Sequence, residues 1–268
     1  MFVGVDDLSN LRFWVAGQLQ VGARLLLDEA LTHRLCRVMR LKVGSLVRLF
    51  NGSGVEYLAE LIAIGRDGLV AQLQQGYEAL PGSPLYIHLV QGIAKGEKMD
   101  WIIQKASELG VTEFTPIFTE RCDVHLNESK CDKRVQHWQA VAVGAAEQSG
   151  RDLPMVIKPV KHFKRWLNDC IRPVTNSDGV DMFNTGQGLL MLHPGKEASS
   201  FGEWSVKNSN LKRVVVLIGP EGGWSSSELT MAMDYGIQMV HVGHRILRTE
   251  TAGIVIAAIL QTRWGDLN

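Results

Sequence analysis

Between residues 45 and 75 short apolar-rich runs are separated by turn-forming residues. SLVRLF (45–50) and EYLAELIAIG (56–65) flank Asn51-Gly52-Ser53-Gly54, a turn rich in residues that tolerate positive φ. Arg66-Asp67-Gly68 then turns into GLVAQLQQ (68–75), where Leu69, Ala71 and Leu73 alternate with smaller or polar neighbours. This pattern predicts a β-meander. Upstream, EALTHRLCRVMRL (29–41) changes period. Leu31, Leu35, Val38 and Met39 fall at helical spacing, and Arg34, Arg37 and Arg40 share the other side, so a short amphipathic helix is expected. Strands with one helix in so few residues predict a small barrel-like domain over residues 1–75.

The stretch from Gly76 to Pro84 breaks the pattern and marks a domain boundary, with a second domain over 80–268. Beyond it, short apolar runs alternate with amphipathic helices. LYIHLV (85–90), FTPIF (114–118), PMVIKPV (154–160), GLLMLH (188–193), VVVLI (214–218) and MVHVG (239–243) read as strands. KMDWIIQKASEL (98–109), DKRVQHWQAVAVGAAEQ (132–148) and KHFKRWLNDC (161–170) read as helices, the first closed by Gly110. Such alternation predicts an α/β domain with a largely parallel sheet covered on both faces. Residues 173–187 read as a loop that is expected to be mobile. Trp101, Trp138 and Trp166 lie at helical core spacing and are read as packing residues.

Composition narrows the function classes. With 46% hydrophobic residues, two cores are possible, and no apolar run approaches the ~18 residues that span a bilayer. The opening MFVGVDDLSNLRF has no basic start followed by an apolar stretch, so a cytoplasmic protein without a secretory leader is expected. Cys36, Cys122, Cys131 and Cys170 lack paired spacing, and reduced cysteines are expected rather than a metal site. His88, His125, His137 and His162 stand without a second ligand at suitable spacing and read as surface or core residues. Charge balances, with 28 basic and 28 acidic residues, yet residues 31–50 hold Arg34, Arg37, Arg40, Lys42 and Arg48 and no carboxylate. That is either a solvated helix face or an RNA-binding edge, and the missing carboxylates favour RNA.

The chemistry concentrates in 214–264. A buried strand feeds Gly219-Pro220-Glu221-Gly222-Gly223, and Ser225 with Glu228 forms a capping box for the next helix, which Gly236 ends. The loop has neither the lysine of a phosphate cradle nor GxGxxG spacing, and Glu221 would repel a polyphosphate. A phosphate-free adenosine ligand carrying a sulfonium suits it better than ATP or NAD. The same residues also read as a plain strand-to-helix turn. The second loop, Gly243 to Ala252, sets Arg245, Arg248 and Glu250 before GIVIAAIL, a helix apolar on nearly all sides. Arg248 with Glu250 reads either as a structural ion pair or as part of a site, and the site is favoured because buried ion pairs stabilise poorly. Ile254, Val255, Ile256, Ile259 and Leu260 give the last helix faces too wide for one domain to cover, so a homodimer is expected.

GPEGG-W-S-x-x-E followed by GxRILRTETA closely resembles the ribosomal RNA uracil-N3 methyltransferase family of the SPOUT superfamily. HRLCRVMRLKVGS (33–45), IQKASELGV (103–111), PIFTERC (116–122), AAEQSGR (145–151) and LHPG (192–195) are similar to that family in the same order. Ser45 and Cys122 depart from its pattern, where Asp and Ser are expected, and about ten extra residues precede LRFWV. The resemblance implies a PUA-like β-barrel that binds RNA, then a SPOUT domain with a C-terminal trefoil knot. It implies S-adenosyl-L-methionine as cofactor and methylation of N3 of one uridine in 16S ribosomal RNA, within a 30S subunit or its precursor. A homodimer is implied, and no metal or membrane.

Carried onto this chain, the resemblance places the cofactor against Leu192, His193, Pro194, Gly219, Pro220, Glu221, Gly222, Gly223, Val242, Gly243, Ile246, Leu247, Arg248, Thr249 and Ala252. Arg121, Arg248 and Glu250 become the catalytic candidates, the arginines stabilising the uracil anion and Glu250 a candidate base. The RNA side comprises Arg34, Arg37, Arg40, Lys42, Arg121, Glu147, Gln148 and Arg151. Three other readings stay open: another RNA such as transfer RNA, an RNA-binding module without activity, and an adenine-nucleotide enzyme, which the absent phosphate-binding lysine disfavours.

Overall fold

The structure is a computed structural model that describes residues 11–66, 68–124, 127–170 and 186–267. His125 and most of the loop expected at 173–187 lie outside the described residues. The chain forms two compact units, one of residues 1–82 with 146–153, the other of 83–145 with 154–268.

In the first unit β1 (Arg12–Trp14), β2 (Arg24–Leu26), β3 (Leu46–Phe50), β4 (Val55–Gly65) and β5 (Gly68–Glu78) form one sheet, ordered β1-β3-β4-β5-β2. The meander expected from the alternation is present, and β5 continues through Gly76, beyond the expected break. Val47, Leu49, Ala59, Leu61, Leu69 and Ala71 point inward from these strands and pack on Phe13, Leu31 and Leu35. α1 (Glu29–His33) is capped by Asp28, whose carboxylate accepts the Leu31 N–H at 2.7 Å. The helix does not continue in α form. Residues 34–38 wind as a π-helical turn, so Leu31 and Leu35 are buried while Val38 and Met39 are exposed, against the sequence expectation.

In the second unit β6 (Tyr86–Gly92), β7 (Glu113–Phe118), β8 (Val156–Ile157), β9 (Lys161–His162), β10 (Gln187–Leu192), β11 (Ser199–Ser200), β12 (Arg213–Ile218) and β13 (Gln238–His241) make a parallel sheet. Its order is β11-β13-β10-β12-β6-β7-β8, with β9 beside β7. Successive residues of β12 enter opposite cores: Val214, Val216 and Ile218 on one face, Val215 and Leu217 on the other. That is why its run is apolar throughout. α2 (Lys98–Glu108) and α7 (Thr249–Trp264) pack on the first face, α4 (Phe163–Cys170) and α6 (Ser226–Asp234) on the second. α3 (Glu128–Ser149) and α5 (Phe201–Lys207) complete the helices. The expected strand at 154–160 is shorter, and the sequence reading did not place β11 and α5, whose Ser200 and Glu203 form a capping box like that of Ser225 and Glu228.

Trp138 and Trp166 are core residues, but Trp101 is 45% exposed. On α2 the inward positions are Met99, Ile102, Ile103 and Ala106, and residue 101 falls on the opposite side. In α7, Ile256 and Leu260 are buried while Ile254, Val255 and Ile259 are half-buried. No helix among the described residues is long and apolar enough to cross a membrane.

Candidate active site

The carboxyl ends of β10, β12 and β13 open into a cavity of about 730 Å³. Ligands of open parallel sheets bind at this end of the strands, where the following loops converge. Three loops build the wall. After β10 come Leu192, His193 and Pro194; after β12 come Gly219, Pro220, Glu221 and Gly223; after β13 come Val242, Gly243, Ile246, Leu247, Arg248, Thr249 and, within α7, Ala252. All but one of the residues expected to hold a cofactor therefore share one cavity.

The exception is Gly222. A Cβ there would stand 2.7 Å from the Arg121 carbonyl oxygen and 2.8 Å from the Arg121 Cβ, so this glycine permits close packing against the 119–122 turn and does not line the cavity. Gly223 and Gly243 differ from it. Both have left-handed φ (68° and 74°), and a Cβ at either would stand in open space.

Buried bonds tie the loops together. The Thr249 hydroxyl donates to the Gly219 carbonyl at 2.6 Å and accepts from Gln91 Nε2 at 2.8 Å. Gln91 is fully buried at the end of β6. Its neighbour Gly92 has no room for a side chain, because a Cβ would come 2.6 Å from the Pro220 nitrogen. Trp224 Nε1 donates to the Leu192 carbonyl at 3.2 Å, joining the β10 and β12 loops. The expected capping box is present, with Ser225 Oγ accepting from the Glu228 N–H and Glu228 accepting from the Ser225 N–H. Gly236, with φ of 73°, follows the end of α6.

Of the two readings of Arg248 and Glu250, the structural ion pair is not formed. The partner of Glu250 is Lys98 at 3.4 Å, which also holds Glu221 at 2.9 Å. Lys98 projects from the start of α2, and its pKa is raised chiefly by the bond to Glu221. Burial opposes the Glu221 charge, yet the Lys98 ammonium and the backbone N–H groups of Glu221 and Lys95 outweigh it and hold the carboxyl below its usual range. Arg248 is exposed as the N-cap residue of α7 and lines the cavity, whereas Glu250 does not line it. Arg121, also on the wall, donates to the Gly222 carbonyl at 3.3 Å. Lys98, Lys196, Arg245, His241, His244 and Trp224 line the cavity too, and sequence reasoning missed them as site residues. Arg245 and His244 lie inside the singled-out loop, so that loop was the available signal. Lys98 comes from a distant segment and only the fold brings it there.

The residues assigned to RNA separate. Arg34 pairs with Glu147 at 2.7 Å and lies over the Phe13 ring. Glu147 also accepts the Trp14 N–H at 3.0 Å. Arg12 caps the end of α3, donating to the carbonyls of Ala146, Glu147 and Arg151. Thus Arg34 and Glu147 are committed to packing within the first unit, and 146–151 is held by its backbone. Gln148, Arg37, Arg40 and Lys42 are exposed. Arg40 has φ of 58° and has left the helix, so 34, 37 and 40 do not form the single helical edge expected. The four cysteines are free.

The model of the RNA methyltransferase domain family matches residues 81–261, and the RNA methyltransferase PUA domain model matches 27–74. Ribosomal RNA small subunit methyltransferase E of Buchnera aphidicola (Schizaphis graminum) is 31% identical over 96% of this chain and 98% of its own. The protein of that name from Synechocystis is 32% identical over 95% and 80%. Among solved structures, a Legionella pneumophila methyltransferase with bound S-adenosylmethionine superposes with a TM-score of 0.84 at 31% identity, covering 96% of this chain and 99% of that one. Ribosomal RNA small subunit methyltransferase E of Neisseria gonorrhoeae, bound to S-adenosylmethionine, gives 0.81 at 31% identity with the same coverage.

Proposed function

The chain belongs to the RNA methyltransferase family that includes ribosomal RNA small subunit methyltransferase E, and from that premise we propose the reaction it catalyses. It transfers the methyl group of S-adenosylmethionine to N3 of one uridine in 16S ribosomal RNA, within the 30S subunit or its precursor. The observation that carries this reading is the cavity at the strand ends, where three loops converge on one space.

The cavity fits such a cofactor. Leu192, Ile246, Leu247 and Ala252 give apolar wall, and Gly223 and Gly243 keep open the space that side chains would fill. Glu221 presents a carboxylate and Arg248 a cation to the two charged ends of an amino-acid sulfonium. When bound, the cofactor supplies an electrophilic methyl group. Neutral uracil N3 carries a proton, so the protein must favour the anion. Arg121 and Arg248 place positive charge at the wall for the uracil oxygens. Glu250, tied to Lys98, acts as a positioning residue for that lysine rather than as the base.

On the same reading the first unit's sheet closes as a PUA-like barrel, and the C-terminal strands and α7 thread a trefoil knot, a rare exception to unknotted topology. Two copies pair over the half-buried face of α7, and the enzyme works in the cytoplasm. Calorimetry with S-adenosylhomocysteine and transfer of labelled methyl to 30S subunits or transfer RNA test the reading. Saturable binding with label in 30S subunits is expected. Absent binding, or label in transfer RNA alone, contradicts it.

A further inference from the structure

The segment following α1 sets apolar and cationic side chains side by side in water. Val38 is 67% exposed, Met39 37% and Val43 54%. Arg37, Arg40 and Lys42 are interleaved with them and exposed, and none has a carboxylate partner among the described residues. The nearby arginines are committed elsewhere, Arg34 to Glu147 and Arg48 to Glu56.

The backbone turns this surface outward. The Met39 N–H donates to the Arg34 carbonyl at 2.9 Å, a π-type bond, and the Leu41 N–H donates to the Leu35 carbonyl at 2.9 Å. The wider turn keeps Leu35 and Leu41 on the core side and swings 37–40 to solvent. Arg40 is the one non-glycine residue in the left-handed region among those described. A Cβ disfavours that conformation, and glycine is the usual occupant. Just past the end of the turn, this conformation ends the helix and fixes the direction in which 37–40 face.

A solvated helix face has no need of exposed Val and Met, and an edge that only grips phosphates has none either. Cations interleaved with apolar side chains suit a nucleotide whose base is unstacked. The cations meet phosphates, and the apolar groups cover the face of the base. Duplex RNA hides its base faces by stacking and closes its major groove to side chains. The chemistry agrees, because uracil N3 lies on the pairing edge and is reachable only in an unpaired uridine. We propose that residues 37–43 bind a single-stranded segment of the RNA substrate, with an unstacked base packed on Val38 and Met39 and phosphates on Arg37, Arg40 and Lys42. The inference rests on the RNA methyltransferase reading and adds the strandedness of the RNA and the side chains that meet it.

Fluorescence polarisation with a short oligouridylate, and with an RNA duplex of equal phosphate count, tests it. Wild-type protein favours the single strand. The double substitution Val38→Ser with Met39→Ser weakens that binding about tenfold and leaves the melting temperature and S-adenosylhomocysteine affinity unchanged. Arg40→Gly relieves the left-handed strain, so it keeps or raises the melting temperature while weakening RNA binding. Arg37→Gln and Lys42→Gln each lower the salt slope by about 0.7. Unchanged oligouridylate affinity in the double variant, or a preference for duplex, overturns the inference alone. Normal binding of naked RNA with loss only on 30S subunits assigns the patch to a ribosomal protein and also overturns it. A wild-type protein that binds neither RNA overturns it together with the reading beneath.

Discussion

Lys98 stands 2.9 Å from Glu221 and 3.4 Å from Glu250 and lies on the cavity wall, so one cation is shared by two carboxylates and the trio keeps one net negative charge. All three are partly solvated, which limits the contribution to about 1 kcal/mol. Lys98→Met should lower S-adenosylhomocysteine affinity about fivefold by calorimetry, and Lys98→Arg should recover part of it. At Gly92 a Cβ would meet backbone, 2.6 Å from the Pro220 nitrogen, which cannot give way as a flexible side chain would. Gly92→Ala should cost roughly 1–3 kcal/mol in denaturant unfolding and weaken cofactor binding by displacing the 219–223 loop. Gly222→Val acts elsewhere. It should displace Arg121, so methyl transfer falls further than cofactor affinity. His88 is buried, with one ring nitrogen 2.8 Å from the Thr115 hydroxyl, and burial drives its pKa from 6.5 down to about 4. It is neutral at pH 7, so its 3.4 Å approach to Glu113 is not an ion pair there. Between pH 6.5 and 4 the unfolded chain takes up a proton that the folded chain refuses. Stability must fall as pH falls through that window, by at most roughly 3 kcal/mol from this group. Denaturant unfolding at pH 7 and pH 5 should show the drop, and His88→Gln should flatten it.

α7 begins where three strands end. The Thr249 hydroxyl in its first turn links Gln91 of β6 to Gly219 after β12, and Arg248 at the N-cap position makes no side-chain capping bond and lines the cavity. Thr249→Val removes both bonds in a buried setting and should cost about 1–3 kcal/mol. Because the same bonds hold the loop, cofactor affinity should fall with stability, which melting curves with and without S-adenosylhomocysteine separate. These elements also show what sequence could and could not reveal. The β12 and β13 loops were legible because their glycines, charges and capping box are contiguous. Lys98, Gln91 and Gly92 were not, since a parallel sheet brings strand ends together from distant segments. Helical spacing failed after Leu35, because a π-type turn changes which positions face the core. Trp101 was misread because a tryptophan in an amphipathic helix looks like core even when its position faces outward. The structural Arg248–Glu250 pair, the less favoured of the two readings, is not formed, because Glu250 takes Lys98 from another element.

At the scale of the whole molecule, the proposed pairing of two copies would cover the half-buried Ile254, Val255 and Ile259 of α7. Sedimentation equilibrium at low micromolar concentration should therefore report twice the chain's 29.7 kDa. A stable active monomer would contradict the pairing. The balanced total of 28 basic and 28 acidic residues makes RNA recognition a matter of local patches, so raised salt should weaken RNA binding far more than cofactor binding. The most direct measurement of the account is the position of the transferred methyl group. Purified protein, S-adenosylmethionine with a labelled methyl and unmodified 30S subunits are incubated, and the ribosomal RNA is digested to nucleosides and mapped. One labelled nucleoside, N3-methyluridine, from a single position in 16S ribosomal RNA is the expected result. Label on another base, on a ribose, or scattered over many uridines would contradict the account.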